Sequence, residues 1–474
     1  MEYIKKYLII PTSKKAQIKK LEFKKDDSLF FALYLKYDNE NSDFLSYVEL
    51  PLERGEKFHC FLDGKSVEFS HTDQINLDKN TFDNRPIAHY TVKNGWNNDP
   101  NGLIKIGDTY HMYYQYNPCS IEWGNMHWGH AISKDLFNWQ ECDVELFPDK
   151  MGSIFSGCAI KDDKYYYFYT SAGEHSIIDN SMPYTQCLAT STDGFNLKKS
   201  NLNPVIPQIA YGNRDPKVVF SKTLNKYLMA LYIEDKRYSF FTSTDLLKWE
   251  FLQDFTLGTD EECPDIMIFD VDGTEYYAVI GANNSYVIGV FKDGKFTAKS
   301  HVRKLVKGDI DYAGQSFSGL TDRNIRISWN RLPVISGNFS QQMGLPFDVT
   351  IAKENGRLFL KTKPVDEIKN LYIEKRIHLF LSAEEKIPFE KKAYDISFDT
   401  EAGSLTLYAF GKRLRLNLTS PTVRIIADKL SLDVFYNDGK EHLSLYNPMA
   451  KITIFKASKP IKNFVYYTLA KKLQ

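Results

Sequence analysis

The sequence predicts an all-β chain built around a five-bladed β-propeller, followed by a β-sandwich and preceded by a small β-rich unit. Three observations carry that expectation. Aromatic residues make up 14% of the chain, with 30 Tyr and 32 Phe, a bias that suits pleated surfaces. Five central segments share one plan, a polar turn followed by an aromatic-rich strand. A second motif recurs at the same period.

The five segments are GDTYHMYYQY, DDKYYYFYTS, LNKYLMALYI, DGTEYYAVIG and DRNIRISWNR, with turn residues Asp108, Asp163, Asn225, Gly273 and Arg323. A short apolar run precedes each turn (NGLIKI, GCAIK, DPKVVFS, PDIMIFD and QSFSGLT), so each unit opens as a hairpin. The second motif is ISKDLFNW, TSTDGFNL and TSTDLLKW, starting at 132, 190 and 242. It fits a turn between later strands of the same unit. A repeat of about 50 residues holding several strands is the mark of a propeller blade, and five such units fill residues 86–345.

The flanks differ in texture. Residues 1–85 contain LFFALYLKY and FLSYVELPL, the alternating runs of a small β domain. Residues 350–474 contain RLFLKTK, AYDISFD, SLTLYAF and KITIFKA, split by polar turns as in a β-sandwich. A short helix is expected around VDEIKNLYIEK.

Charge and cysteine usage narrow the function. Lys plus Arg and Asp plus Glu both total 60, which gives no electrostatic reason to expect nucleic acid or a membrane as partner. A small neutral substrate fits better, and homo-oligomerisation is left open. The apolar run near the N-terminus, Tyr7 to Ile10, is too short for a signal-peptide core. Six cysteines are scattered without close pairs, the usage of a cytoplasmic protein with reduced thiols. Cys119, His127, His130 and Cys142 match no common zinc spacing, so neither metal nor cofactor is expected.

Candidate catalytic residues emerge from the repeat register. Asp99 lies 9 residues before Asp108, Asp215 lies 10 before Asn225, and Glu262 lies 11 before Gly273. Ser156 and Gln315 occupy the matching places in the other two units. All five begin the first strand of a blade. That strand is innermost in a propeller, so these positions should converge at one end of the central channel. Each acid also has a structural reading. Asp99-Pro-Asn-Gly is a good type I turn, Asp215 before Pro216 suits a strand entry, and Glu261-Glu262 could be a solvated pair. Three carboxylates in one register favour chemistry. Cleavage of a glycosidic bond with retention needs an ionised nucleophile and a protonated acid on opposite sides of the anomeric carbon. A third carboxylate stabilises the developing charge.

The same residues resemble a known family. Trp96-Asn97-Asn98-Asp99-Pro100-Asn101-Gly102, Tyr114-Gln115-Tyr116-Asn117-Pro118 and Trp123-Gly124-Asn125-Met126-His127-Trp128-Gly129-His130 are similar to motifs of glycoside hydrolase family 32, the invertase and fructanase family. Phe155-Ser156-Gly157, Arg214-Asp215-Pro216, Glu262-Cys263-Pro264-Asp265 and Tyr312-Ala313-Gly314-Gln315-Ser316-Phe317 follow in the family's order. The resemblance spans about residues 95–335 and implies the C-terminal sandwich. It implies that Asp99 is the nucleophile, Glu262 the acid/base and Asp215 the transition-state stabiliser. Trp96, Asn98, Gln115, Trp123, Phe155, Ser156, Arg214, Gln315 and Trp329 would line the sugar pocket. Two departures stand out: Glu261 replaces a frequent aromatic residue before Glu262, and Cys158 follows Phe155-Ser156-Gly157. The first 85 residues lie outside the family's minimal plan. Trp139 and Trp249 occupy equivalent repeat positions and should be packing residues, and His127 and His130 should be structural.

The implied activity is release of terminal β-D-fructose from sucrose or short fructo-oligosaccharides. Fructosyl transfer, hydrolysis of sucrose 6-phosphate and exo-cleavage of levan or inulin use the same residues. A related five-bladed family acting on arabinose or xylose chains is disfavoured by the Trp96–Gly102 run and by Glu262-Cys263. A non-catalytic sugar-binding propeller is disfavoured by the presence of all three acids.

Overall fold

A computed structural model describes residues 1–76, 84–333 and 338–471. The chain is almost entirely β. Five sheets follow one another from residue 95 to residue 364, each a four-stranded antiparallel meander. Blade 1 starts with Gly95–Ile106, blade 2 with Ser153–Lys161, blade 3 with Arg214–Ser221, blade 4 with Asp265–Val271 and blade 5 with Asp311–Ser316. Each first strand touches the first strand of the next blade, and the fifth returns to the first. That ring is a five-bladed β-propeller. The ring is sealed by backbone bonds: Phe339–Ser340 pairs in parallel with Gly95–Trp96, and Ser318 bridges Leu103 and Lys105.

The five aromatic segments form the second strands, and their turns carry the required chemistry. Asp272 and Gly273 both have positive φ, 52° and 77°, as a two-residue type I′ hairpin demands. The Ser-x-Asp motif turns the chain from third to fourth strand. Asp135 accepts from the N–H groups of Phe137 and Asn138, and Asp245 from those of Leu247 and Lys248. Burial follows strand order. Gly95–Ile106 is buried for ten residues in succession, whereas the outer strand Glu250–Thr256 is wet throughout. Trp139 and Trp249 pack against Tyr90 and Phe168 as their repeat positions predict, and His130 stacks on Tyr113.

Buried charges tie the blades across the channel. Lys217 of blade 3 sits 3.0 Å from Asp265 of blade 4 and donates to the carbonyl of Ser316 in blade 5. Arg326 of blade 5 approaches the same aspartate and donates to Asn284 of blade 4.

The last two blade-5 strands, Phe347–Glu354 and Arg357–Pro364, pair into the sheet of Asn324–Asn330. RLFLKTK was expected in the sandwich, and the 345/350 boundary is therefore crossed by hydrogen-bonded strands. The alternation of an outer blade strand and of a sandwich strand is the same, so pattern alone could not place it. The helix expected at VDEIKNLYIEK is a 3₁₀ turn, Asp366–Leu371, running straight into the strand Tyr372–Leu381. The β-branched and aromatic residues after Leu371 favour the extended chain.

Beyond this turn, a seven-stranded and a four-stranded sheet enclose a core that includes Ile396, Phe398, Leu405, Leu407, Ile425 and Phe464. A separate core joins the sandwich to the propeller, with Ala393, Ile426, Leu430, Phe435 and Leu469 among residues of blades 1, 4 and 5. A buried cluster pins the same seam. His89 bonds Asp428 at 2.9 Å and approaches Asp433 at 3.3 Å, and Asp433 also bonds His442. Burial alone would lower the His89 pKa. The two carboxylates outweigh it and raise the group to about 9.

The cation on His89 therefore stabilises the fold fully below its ordinary pKa of about 6.5, and that contribution fades as pH rises through 9. Urea midpoints should fall between pH 6.5 and 9, by up to about 3 kcal/mol of unfolding free energy. In His89→Gln this pH dependence should shrink.

The N-terminal unit is two small sheets packed face to face around Leu8, Ile10, Leu21, Phe23, Phe31 and Phe58. Its core runs into the propeller through Cys119 and Phe147, and the Phe31 ring meets His127 and Phe147 edge-on.

Candidate active site

The register argument has a backbone cause. First strands carry bulges at matching places: Asn97/Pro100 in blade 1, Ile154/Gly157 in blade 2, Arg214/Lys217 in blade 3 and Tyr312/Gln315 in blade 5. A bulge bends the strand and re-aims one side chain. Each bulge sets two residues against one: Asn98 and Asp99, Phe155 and Ser156, and Asp215 and Pro216. Asp99-Pro-Asn-Gly is thus not a free type I turn but a kink inside a long strand. In blade 4 Glu262 and Cys263 stand just ahead of the first strand, and the Glu262 carbonyl accepts from the Ala282 N–H. Asp215, Glu262, Cys263 and Ala313 all have positive φ, between 37° and 67°. Side-chain-bearing residues adopt this region at a penalty that the surrounding structure must sustain, and such strain gathers at functional sites.

The three acids meet around Cys263. Its N–H donates to Asp215 at 3.1 Å, and its thiol lies 3.4 Å from Asp215 and 3.6 Å from Asp99. Burial first, then the charges of Asp215 and Asp99, keep this thiol protonated, so it serves as a donor. Asp215 also receives help through its backbone: its N–H donates to Thr170 Oγ1.

A chain of side-chain hydrogen bonds ends on Asp99. Trp96 Nε1 donates to Asn98 (2.9 Å), Asn98 to Gln115 (2.9 Å), Gln115 to Ser156 (2.8 Å), and Ser156 to Asp99 Oδ2 (2.6 Å). Every donor points the same way, which fixes the amide orientations and leaves Oδ1 of Asp99 outside this relay. Asp99 is only 8% exposed. Burial raises its pKa to about 7, with Ser156 opposing and Asp215 and Glu262 adding to the rise. Burial likewise lifts Asp215 to about 6 against the nearby Arg214 charge.

Glu262 behaves differently. Arg214 donates to one carboxylate oxygen and the Tyr312 hydroxyl to the other. Burial would raise Glu262, but Arg214, Tyr312 and Arg331 together hold it below its ordinary value. Arg214 itself lies over the Tyr232 ring and within 3.8 Å of Asp215. It therefore bridges the second and third carboxylates.

Aromatic rings wall the site. Trp329 meets Trp96 on one side and Tyr312 on the other, both edge-on at 6.0 Å. Trp123 is 46% exposed and packs edge-on against Phe155 and His175. Gln315 is buried, and among the described residues its side-chain carbonyl has no partner and it makes no direct hydrogen bond to the three acids. Glu261 is exposed beside Glu262.

Sequence reasoning missed four participants. Cys263 and Tyr312 stood inside quoted motifs, but without a role. Thr170 lies near the end of the second strand Tyr165–Ala172 and Arg331 directly follows Asn324–Asn330, and no spacing signal separates them from their neighbours.

Comparisons with known proteins give the family and the fold. Residues 89–362 match the model of the glycosyl hydrolases family 32 N-terminal domain. The chain is 28% identical to a levanase of Bacillus subtilis over 416 residues, covering 77% of this chain and 60% of that protein, so it spans less than two thirds of the levanase. It is 29% identical to a sucrose-6-phosphate hydrolase of Zymomonas mobilis over 381 residues, covering 70% of this chain and 72% of that protein. The crystal structure of an exo-inulinase from Aspergillus awamori superposes with a TM-score of 0.70 at 22% identity, covering 84% of this chain and all of that one. The chain belongs to glycoside hydrolase family 32.

Proposed function

We propose that this protein is a retaining β-fructofuranosidase that releases terminal fructose from sucrose or short fructo-oligosaccharides. The observation that carries the reading is the meeting of Asp99, Asp215 and Glu262 around one thiol, with a one-way hydrogen-bond relay behind Asp99. Asp99 attacks the anomeric carbon of fructose as the bond to the leaving oxygen breaks. Glu262 gives its proton to that oxygen. Glu262, now a carboxylate, takes a proton from water, and the hydroxide attacks the same carbon to free fructose and Asp99. Asp215 holds sugar hydroxyls and offsets the positive charge that builds on the ring.

The cycle needs Asp99 ionised and Glu262 protonated. In the sugar-free site Arg214 favours the reverse, with Glu262 as the carboxylate. The acids are close enough to share protons, so the pH profile belongs to the set. Activity should require one shared proton. kcat/KM should be bell-shaped with its maximum between about 6 and 7. It should fall on the acid side as Asp215 takes up a proton, and on the alkaline side as the last proton leaves the set.

Two cations near the mouth are engaged, Arg214 by Glu262 and Lys36 by Glu122, which favours a neutral leaving group; Arg331, over the Tyr312 ring, is the cation a phosphate would meet. A panel of sucrose, sucrose 6-phosphate, 1-kestose, inulin and levan tests this reading. We expect the highest kcat/KM on sucrose and 1-kestose. A clear preference for the phosphorylated sugar or a polymer would overturn the substrate assignment. In concentrated sucrose, trisaccharide exceeding free fructose would make the enzyme a transferase.

A further inference from the structure

The N-terminal unit lies outside the matched family domain, yet it reaches the rim of the site. Two ties hold it to the loop carrying Trp123. The Tyr34 N–H donates to Asn125 Oδ1 and Asn125 Nδ2 returns to the Tyr34 carbonyl, both at 2.8 Å. Lys36 pairs with Glu122 at 2.8 Å. Trp123 lies between these two anchor points. Asn125 adopts a positive φ of 45°, the left-handed turn that Asn tolerates well, so the loop is bent to present its amide to the strand.

A cleft of about 270 Å³ opens along this seam, small by the usual ~300–1,000 Å³ of ligand pockets. Ile18, Tyr34 and Lys36 form one wall, and Trp123, His175 and Asn180 the other. Ile18 and Tyr34 are 65% and 48% exposed. Tyr34 alternates outward between buried Leu33 and Leu35, so core packing does not account for its ring. Side-chain contacts link the cleft to the catalytic residues: the Trp123 ring meets Phe155 edge-on, and the next residue, Ser156, donates to Asp99.

We propose that this cleft is a binding subsite for the neutral sugar units on the leaving-group side of the scissile bond, with the N-terminal unit supplying its outer wall. The inference rests on the fructosidase reading above. A terminal fructose bonded at Asp99 must leave the rest of its chain at the mouth, where Trp123 stands. Sugar rings offer apolar C–H faces and hydroxyl edges. Tyr34, Trp123 and Ile18 supply faces for the first, and Asn180 and His175 supply polar groups for the second. The Lys36–Glu122 pair cancels its own charge, which suits a neutral occupant.

The test is kcat/KM for wild type, Tyr34→Ala and Tyr34→Phe on sucrose, 1-kestose and a fructosyl tetrasaccharide. Tyr34→Ala should lose about five- to tenfold on the tetrasaccharide and less than about twofold on sucrose. Tyr34→Phe should keep the wild-type preference. Equal losses on all sugars, or none, would overturn the subsite. So would a dimer, seen by light scattering, that Tyr34→Ala dissociates without changing sugar preference. Wild type inactive on every fructoside would instead refute the underlying functional reading.

Discussion

Asp99→Asn should abolish sucrose cleavage, lowering kcat by about 10⁴-fold or more, while the protein folds and melts as before. The substitution keeps the shape of the side chain and one acceptor oxygen, so Ser156 retains a partner and the relay from Trp96 stays in place. What it removes is the charge and the nucleophilic oxygen. The effect cannot come from an unfilled cavity or a broken bulge, because Pro100 and Gly102 still set the backbone of the kink. A thermal midpoint within a few degrees of wild type, beside the loss of turnover, separates chemistry from folding. Undiminished cleavage would refute the nucleophile assignment.

Glu262→Gln should have the second largest effect, and its size should depend on the leaving group. General acid catalysis contributes about 10²–10⁴-fold when the departing oxygen is basic. Sucrose has such a leaving group, so the variant should lose turnover by that factor. A fructoside with an acidic phenol as leaving group needs no proton, so the first step should survive in the variant. The second step still lacks its base, so turnover should show a burst followed by a slow phase. Arg214 should be freed by the same substitution, since it loses its ion pair with Glu262. The alkaline limb of the pH profile, set by loss of the shared proton, should flatten. Equal loss on both classes of substrate would argue that Glu262 is structural.

Much of this site was legible in the sequence because a repeat converts position into geometry. Asp99, Ser156 and Asp215 could be brought together from the repeat, since all three fall in a bulge that recurs in the inner strands. The relay through Asn98 and Gln115 was legible only as a set of pocket residues, because its direction depends on which amide faces which. Cys263 was visible as part of a motif, but its position between two carboxylates requires blades 1, 3 and 4 to be in place. Thr170 acts from within a second strand and Arg331 from the residue after one, where sequence pattern marks both as ordinary. The last blade was cut short for a related reason. A long connection separates Asn324–Asn330 from Phe347–Glu354, and the strands beyond it repeat the polar–apolar alternation of the sandwich. Sequence pattern reports burial on one face, whereas strand partners are chosen by the whole fold.

The role of the first 85 residues was not legible at all. Their strands were, since LFFALYLKY and FLSYVELPL are rich in aromatic and aliphatic residues and form the strands Ser28–Leu35 and Phe44–Val48. Their contact with the Trp123 loop rests on backbone atoms of Tyr34 and on one amide side chain, which no periodicity encodes.

The central claim is that Asp99 becomes covalently bonded to fructose. Its most direct test is peptide-level mass spectrometry of Glu262→Gln after brief exposure to a fructoside with an acidic phenol as leaving group. The account predicts an added mass of one fructosyl unit, confined to the peptide that contains Asp99 and absent from the Asp99→Asn, Glu262→Gln double variant. Release of the phenol with no adduct on any peptide, or an adduct on a residue other than Asp99, would contradict it.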